Sequence, residues 1–238
     1  MTTSKSIRDA VRNVLDYLTD ADLILSSNDV SIRESQHLTR ISWHGHNPAA
    51  DFLISREYGT VDQYFHWMVN GIYSVILFDA SLLQITYDLA GDAIVGHRLT
   101  YVPCPFMVDL SLLTDGAAPV ADVVGLYDRL SDVALRSPIR FDYDVKSAKR
   151  NHPAAHLTIN SADCRIACVA AMHPLRFADF IFRHFYPRLW GLHSGFFAAA
   201  AWQHLGKLSL SDGDRISPHV MWNIHATAAE VMSAQRGT

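Results

Sequence analysis

The feature that most constrains the fold is a run of three β-rich segments between residues 73 and 102, joined by turns too short to hold a helix. Residues 73–78 (YSVILF) and 82–87 (LLQITY) are rich in β-branched and aromatic side chains, which suit a pleated surface. Between them, Asp79-Ala80-Ser81 fits a tight turn, since Asp and Ser can bond their own backbone. Gly91-Asp92 makes a second turn. Residues 93–102 (AIVGHRLTYV) make a third strand, which Pro103 and Pro105 end because proline has no N–H for the ladder. A parallel crossover needs a dozen or more residues. The three segments are therefore expected to form an antiparallel meander.

Helical periodicity flanks this sheet. Ile7, Val11, Val14, Leu15 and Leu18 fall on one face of a helix over residues 6–18, capped by Ser4 or Ser6. A short pattern at 21–25 follows, and polar residues 26–29 close it. Residues 36–43 (QHLTRISW) alternate imperfectly as a strand, and 60–69 read as a helix capped by Thr60. Residues 120–134 read as another helix, ended by Ser137-Pro138. Residues 139–145 alternate in period two, with Ile139, Phe141, Tyr143 and Val145 on one face and Arg140, Asp142 and Asp144 on the other. A hairpin is expected over 156–159 and 164–169, and Pro174 opens a helix that runs to Tyr186. Helices are also expected at 192–205 and 217–234. Strands in the middle and helices at both ends, without βαβ alternation, give the α+β class in one domain spanning 1–238.

Composition narrows the function classes. A chain of 238 residues that is 49% hydrophobic and only 18% charged can bury a substantial core, which excludes the disordered class. The longest apolar run, GFFAAAAW at 195–202, is far below the roughly 20 residues of a membrane span. Three cysteines do not make a disulfide framework, so a soluble, cytoplasmic protein is expected, with Cys164 and Cys168 as small core residues of a strand. The formal net charge of −4 supplies no global basic field for nucleic acid, so any such contact must be local or arranged by a partner. Thirteen histidines are the unusual element of the composition.

The most distinctive stretch is 152–186. On a strand, His156 and Thr158 share a face, and an imidazole beside a hydroxyl can move a proton while the hydroxyl holds a phosphate oxygen. His156-Leu157-Thr158 is similar to the His-x-Thr signature of the two-histidine phosphoesterases, and a second copy stands at His37-Leu38-Thr39. The bland reading of His156 is a half-buried strand histidine bonded to a neighbour. His152 and His156 have the spacing of a helical metal pair, but Pro153 interrupts it and the segment leads into a strand, so no metal and no cofactor are expected. Arg165, at the start of a strand, and Arg176, in the first turn of a helix, are candidate anion contacts beside Lys146, Lys149 and Arg150. Internal pairing with Asp142, Asp144, Asp163 or Asp179 is the competing role. No Gly-rich phosphate loop, nucleophile elbow or nuclease-type carboxylate cluster is present.

Two stretches carry a family resemblance. The first is Tyr73-Ser-Val-Ile-Leu-Phe-Asp79-Ala-Ser81-Leu-Leu-Gln84-Ile-Thr-Tyr87 with His97-Arg98-Leu99-Thr100-Tyr101-Val102-Pro103. The second joins 139–144, His152-Pro153-Ala-Ala-His156-Leu157, Cys164-Arg165-Ile166 and the Phe-rich helix ending at Pro187. Over about residues 70–190 the chain resembles an uncharacterised bacterial family, a domain of unknown function with no assigned activity. The resemblance implies a stand-alone prokaryotic protein of a defence (antiviral) or mobile-element locus.

The leading expectation is an accessory or binding protein. It would present the 152–176 block, with His152, Arg165 and Arg176 as ligand contacts, to a nucleotide, a nucleic acid or a protein partner in a larger assembly. The alternative is a metal-independent phosphoesterase or RNase-like enzyme using His37 and His156 as acid and base, with Thr39 and Thr158 steadying the phosphate.

Overall fold

The computed structural model describes residues 3–214 apart from 48–59, 115, 117, 131, 150–151, 160–163, 200–203 and 212–213. In chain order the elements are α1 (Ser4–Asp20), β1 (Ile24–Ser27), β2 (Val30–Glu34), β3 (Thr39–Trp43), α2 (Val61–Val69), β4 (Val75–Leu77), β5 (Leu82–Ala90) and β6 (Ala93–Val102). There follow α3 (Leu110–Thr114), α4 (Val120–Leu130), β7 (Ile139–Asp144), β8 (Ala155–Ile159), β9 (Arg165–Ala167) and β10 (Ala171–Met172). The last elements are α5 (Pro174–Phe185), α6 (Pro187–Leu192), α7 (Ser194–Ala198) and β11 (His204–Leu205). Strands β1 to β9 form one nine-stranded antiparallel sheet, with the path β1-β4-β5-β6-β7-β8-β9 and the β2–β3 hairpin joined to β5 through β3. β10 and β11 pair separately. The fold is α+β.

The expected meander is present as β4, β5 and β6, and its first turn shows why it closes. Asp79 Oδ1 accepts from the Ser81 N–H at 3.0 Å, the self-bonding that favours Asp in turns. Ala80 takes φ +65°, and its carbonyl accepts from the Tyr64 hydroxyl of α2 at 2.8 Å. β5 and β6 then pair from Leu82↔Val102 to Ala90↔Ala93.

The two faces of the sheet meet different partners. On one face lie Leu83, Ile85, Tyr87, Leu99, Tyr101 and Phe141, covered by α1 and α5. Helix α1 begins in a capping box between Thr3 and Ser6 and buries Ile7, Val11, Val14, Leu15 and Leu18. Helix α5 has His173 as N-cap and Pro174 in its first turn, and it buries Leu175, Phe177, Ala178, Ile181 and Phe182. Each of the Val, Leu, Ile and Phe side chains among these contributes roughly 1.5–3 kcal/mol when removed from water. On the other face, one end is covered by α2 and α4 over Ile76, Leu82 and Val102. Further along β5 and β6 the cross-strand pairs on that face turn polar: Gln84 opposite Thr100, Thr86 opposite Arg98, Asp88 opposite Gly96. There the covering helices stop.

Several elements differ from the expectation. The strand placed at 36–43 begins at Thr39, and the stretch expected to close α1 instead forms β1 and β2 around Asn28 and Asp29. Asn28 Nδ2 donates to the Gly71 and Tyr73 carbonyls, so its polarity serves tertiary bonding. The 192–205 segment holds α7 and then β11, which pairs with β10. Cys164 is exposed rather than packed in a strand, Cys168 follows β9 and is partly buried, and Cys104 is the buried cysteine. The helix expected at 217–234 lies outside the described residues. No described helix is long and apolar enough to cross a membrane.

Candidate functional site: an arginine-lined cleft

The polar part of the sheet floors a recess of about 590 Å³. Two cross-strand rows define it. Thr86, Arg98, Asp142 and His156 stand opposite one another across β5, β6, β7 and β8. Beside them run Thr100, Arg140, Thr158 and Arg165 across β6, β7, β8 and β9. Because side chains alternate faces along a strand, these rows point away from α1 and α5. Arg40 of β3 and Asp88 of β5 close one side, and the β7–β8 hairpin closes another with Lys146, Ser147 and His152.

Asp142 is the electrostatic centre. Its Oδ1 accepts from Arg98 Nε at 2.9 Å and its Oδ2 from Arg140 Nε at 2.6 Å. Burial pushes this carboxyl up, but the guanidinium groups of Arg140 and Arg98 outweigh it and hold it below the usual carboxylate range. Arg40 grips Asp88 with both oxygens at 2.6 Å, the planar fork arrangement that arginine makes with a carboxylate. Asp144 caps the hairpin: it accepts from the Lys146 and Ser147 N–H groups and, at 2.5 Å, from the Ser147 hydroxyl.

His156 lies on this floor with 2% of its surface exposed. Its Nδ1 is 2.8 Å from the Pro153 carbonyl oxygen. A carbonyl can only accept, so Nδ1 carries a proton. Its Nε2 is 3.5 Å from Asp142 Oδ2. Burial lowers its pKa below the usual histidine range, against the pull of Asp142 and Pro153. His152 packs edge-to-face on it, ring centroids 4.8 Å apart. The His152 pKa is also lowered, by burial first and then by Arg165 and Lys149.

The expected site residues divide sharply. His152, His156 and Arg165 line the cleft together. Thr158 is in the same floor but fully buried. His37 is exposed at the tip of the β2–β3 hairpin. Thr39 pairs with Leu89, a core residue of the helix-covered face, so Thr39 points to the opposite side of the sheet from His156 and Thr158. The acid–base pair of His37 and His156 is therefore not assembled; one cleft does not hold both His-x-Thr copies. Arg176 stands in the first turn of α5, on the helix-covered face, and does not join the cleft. Asp179, one of its suggested partners, is held instead by Arg183 at 2.9 Å and Trp190 at 2.8 Å.

Arg40, Asp88, Arg98, Arg140 and Asp142 were missed as site residues. Their signal was present: polar side chains at alternate positions of β5, β6 and β7, in strands whose other face is apolar but for His97. No group of three or more His, Cys, Asp or Glu able to hold a metal occurs among the described residues.

Nothing among the curated proteins and nothing among solved structures matches the chain. Residues 23–222 match the family described as Uncharacterized conserved protein (DUF2290), a span that contains the whole sheet and no part of α1. With most of its length covered by that match, the chain belongs to this family.

Proposed function

We propose that this is a binding protein that takes a phosphate-bearing ligand, a nucleotide or a nucleic-acid terminus, in the cleft on the polar face of the sheet. One observation carries the reading. Cationic side chains from β3, β6, β7, β9 and the β7–β8 hairpin converge on a single recess, in a chain whose formal net charge is −4. Arginine forks match the geometry of phosphate oxygens, and a recess with low-dielectric walls strengthens their field. The hairpin places Lys146 and His152 at the mouth, where an incoming anion would meet them before the buried floor. His156 and Thr158 then serve as floor: one ring nitrogen of His156 is committed to Pro153 and the other faces Asp142.

Isothermal titration of the full chain with inorganic phosphate and with a nucleoside monophosphate tests this. Binding should weaken steeply as salt rises, since charge contacts are screened. The double variant Arg165→Ala, Lys146→Ala should lose about tenfold or more in affinity while melting as a folded protein. Wild-type protein that binds neither probe at millimolar concentration overturns the reading.

A further inference from the structure

We infer that a surface apart from the cleft, built by α3, α4 and residues 133–136, docks a basic protein segment that carries apolar side chains along one face. Exposed apolar residues scattered singly are ordinary, whereas a contiguous patch marks an interaction site. Among the described residues, twelve large apolar side chains are well exposed, and half of them fall between 107 and 135: Met107, Leu110, Leu112, Leu126, Val133 and Leu135. None of the six lines the cleft.

Hydrogen bonds join the three segments into one surface. The Asp109 N–H donates to the Tyr127 hydroxyl at 3.0 Å, which ties the entry of α3 to α4. The Ala134 N–H donates to the Pro105 carbonyl at 2.7 Å. Arg136 reaches the Cys104 carbonyl at 3.0 Å and the Met107 sulfur at 2.8 Å, so the 133–136 stretch lies along the chain that leads into α3. Leu110, Leu126, Val133 and Leu135 are the immediate sequence neighbours of these bonded residues. The inner sides of the two helices are already used: Leu113 of α3 and Val123 and Val124 of α4 are buried in the core beneath. The leucines on the outer sides therefore have no part in holding the helices down.

Charge selects the occupant. Residues 107–136 contain five Asp against Arg129 and Arg136, a net charge of −3 (2 − 5) in a chain whose formal charge is −4. Asp109, Asp122, Asp128 and Asp132 are exposed on the same segments as the apolar side chains. Like charges set against each other across an interface are costly. Such a surface repels a nucleic acid and an anionic membrane, and in a two-fold dimer, where one patch meets itself, it repels its own copy. A basic segment gains where these lose: its Lys or Arg side chains meet the aspartates while its apolar face covers the leucines, the way an amphipathic helix docks.

Fluorescence anisotropy of the full chain with two labelled peptides of about 15 residues tests this. Both carry Leu at helical spacing; one has Lys and the other Glu at the remaining positions. The Lys peptide should bind about tenfold or more tighter than the Glu peptide. Leu126→Asp, and separately the pair Asp128→Lys, Asp132→Lys, should each weaken it about tenfold or more. These side chains are exposed, so both variants should melt as wild type does. A Lys peptide that does not bind, or binds both variants as it binds wild type, overturns the inference. Two further results overturn it by naming another occupant. A wild-type dimer in sedimentation equilibrium that Leu126→Asp makes monomeric assigns the surface to a second copy. Faster hydrogen exchange of residues 215–238 in Leu126→Asp assigns it to the chain's own C-terminal segment.

Discussion

Asp142 and His156 face each other across β7 and β8, with the imidazole Nε2 3.5 Å from the carboxylate Oδ2, and the same carboxylate is gripped by two arginines. One acidic side chain thus holds the charge of the cleft floor in place. Arg140 and Asp142 are both nearly buried, at 9% and 8% side-chain exposure. Removing one member of a buried ion pair leaves the other uncompensated, which costs about 3–5 kcal/mol. Asp142→Ala should lower the unfolding free energy by that amount in urea titrations, with an unchanged dependence on urea. Asp142→Asn should cost less, because the amide oxygen still accepts. Because Asp142 raises the His156 pKa, both variants should drive that pKa further down, readable from imidazole NMR shifts.

His97 predicts an acid sensitivity. It lies on the helix-covered face, where its Nε2 accepts from the Met172 N–H at 2.9 Å, and burial lowers its pKa from 6.5 to about 4. The unfolded chain therefore binds this proton more readily than the folded one. Stability should be full above about pH 6.5, fall as pH drops, and reach its limit near 4. The loss is about 3 kcal/mol, from 1.36 kcal/mol per pKa unit. His46, also lowered to about 4 by burial and by Arg40, titrates over the same window. Thermal melts of His97→Gln should show a smaller slope between pH 4 and 6.5 than wild type, with the His46 part remaining. An unchanged slope would mean that His97 is not the group responsible.

The parts of the fold legible in the sequence are those where one local signal decides. The stripe of α1, the Pro174 start of α5 and the Asp79 turn each agree with their tertiary setting. β1 was not legible, because Ser26 and Ser27 are loop-like residues whose extended form is fixed by pairing with the distant β4, and β2 takes its form from the hairpin it makes with β3. The cleft was half legible. His152, His156 and Arg165 lie near one another in sequence, and the chain brings them together. Arg40, Asp88 and Arg98 come from strands far away in sequence, and only the register of β3, β5 and β6 puts them opposite Asp142 and its neighbours. The His37-Thr39 match failed for the same reason: a three-residue pattern does not say which face of the sheet it will occupy.

His152 gives the cleft a pH response in binding. Its pKa is lowered by burial and by Arg165 and Lys149, so it is neutral at pH 7 in the unliganded protein. An anion entering beside Arg165 offsets that positive field and raises the His152 pKa, so binding takes up a proton. Affinity must then rise as pH falls through the histidine range. Sulfate is the clean probe, since a phosphomonoester itself gains a proton near pH 6. Sulfate affinity should increase between about pH 7 and pH 5, and His152→Gln should flatten the increase. A wild-type affinity that is flat over this range would place His152 outside the reach of the ligand.

Gly96 supplies the sharpest steric test. It stands in the middle of β6, opposite Asp88 on one side and Asp144 on the other, where a glycine weakens a strand unless something must approach closely. A Cβ built there meets the Tyr143 carbonyl at 3.4 Å and the Asp88 side chain at 3.6 Å. Alanine therefore fits, and a longer side chain must rise into the recess that Gly96 lines. Gly96→Ala should fold and bind phosphate within about threefold of wild type, a change under 1 kcal/mol. Gly96→Leu should fold with a similar melting temperature, because its added atoms enter open space, yet lose about tenfold or more in phosphate affinity. If Gly96→Leu binds as wild type does, the ligand does not occupy this part of the cleft, and the phosphate site lies nearer Arg165 and the β8–β9 edge.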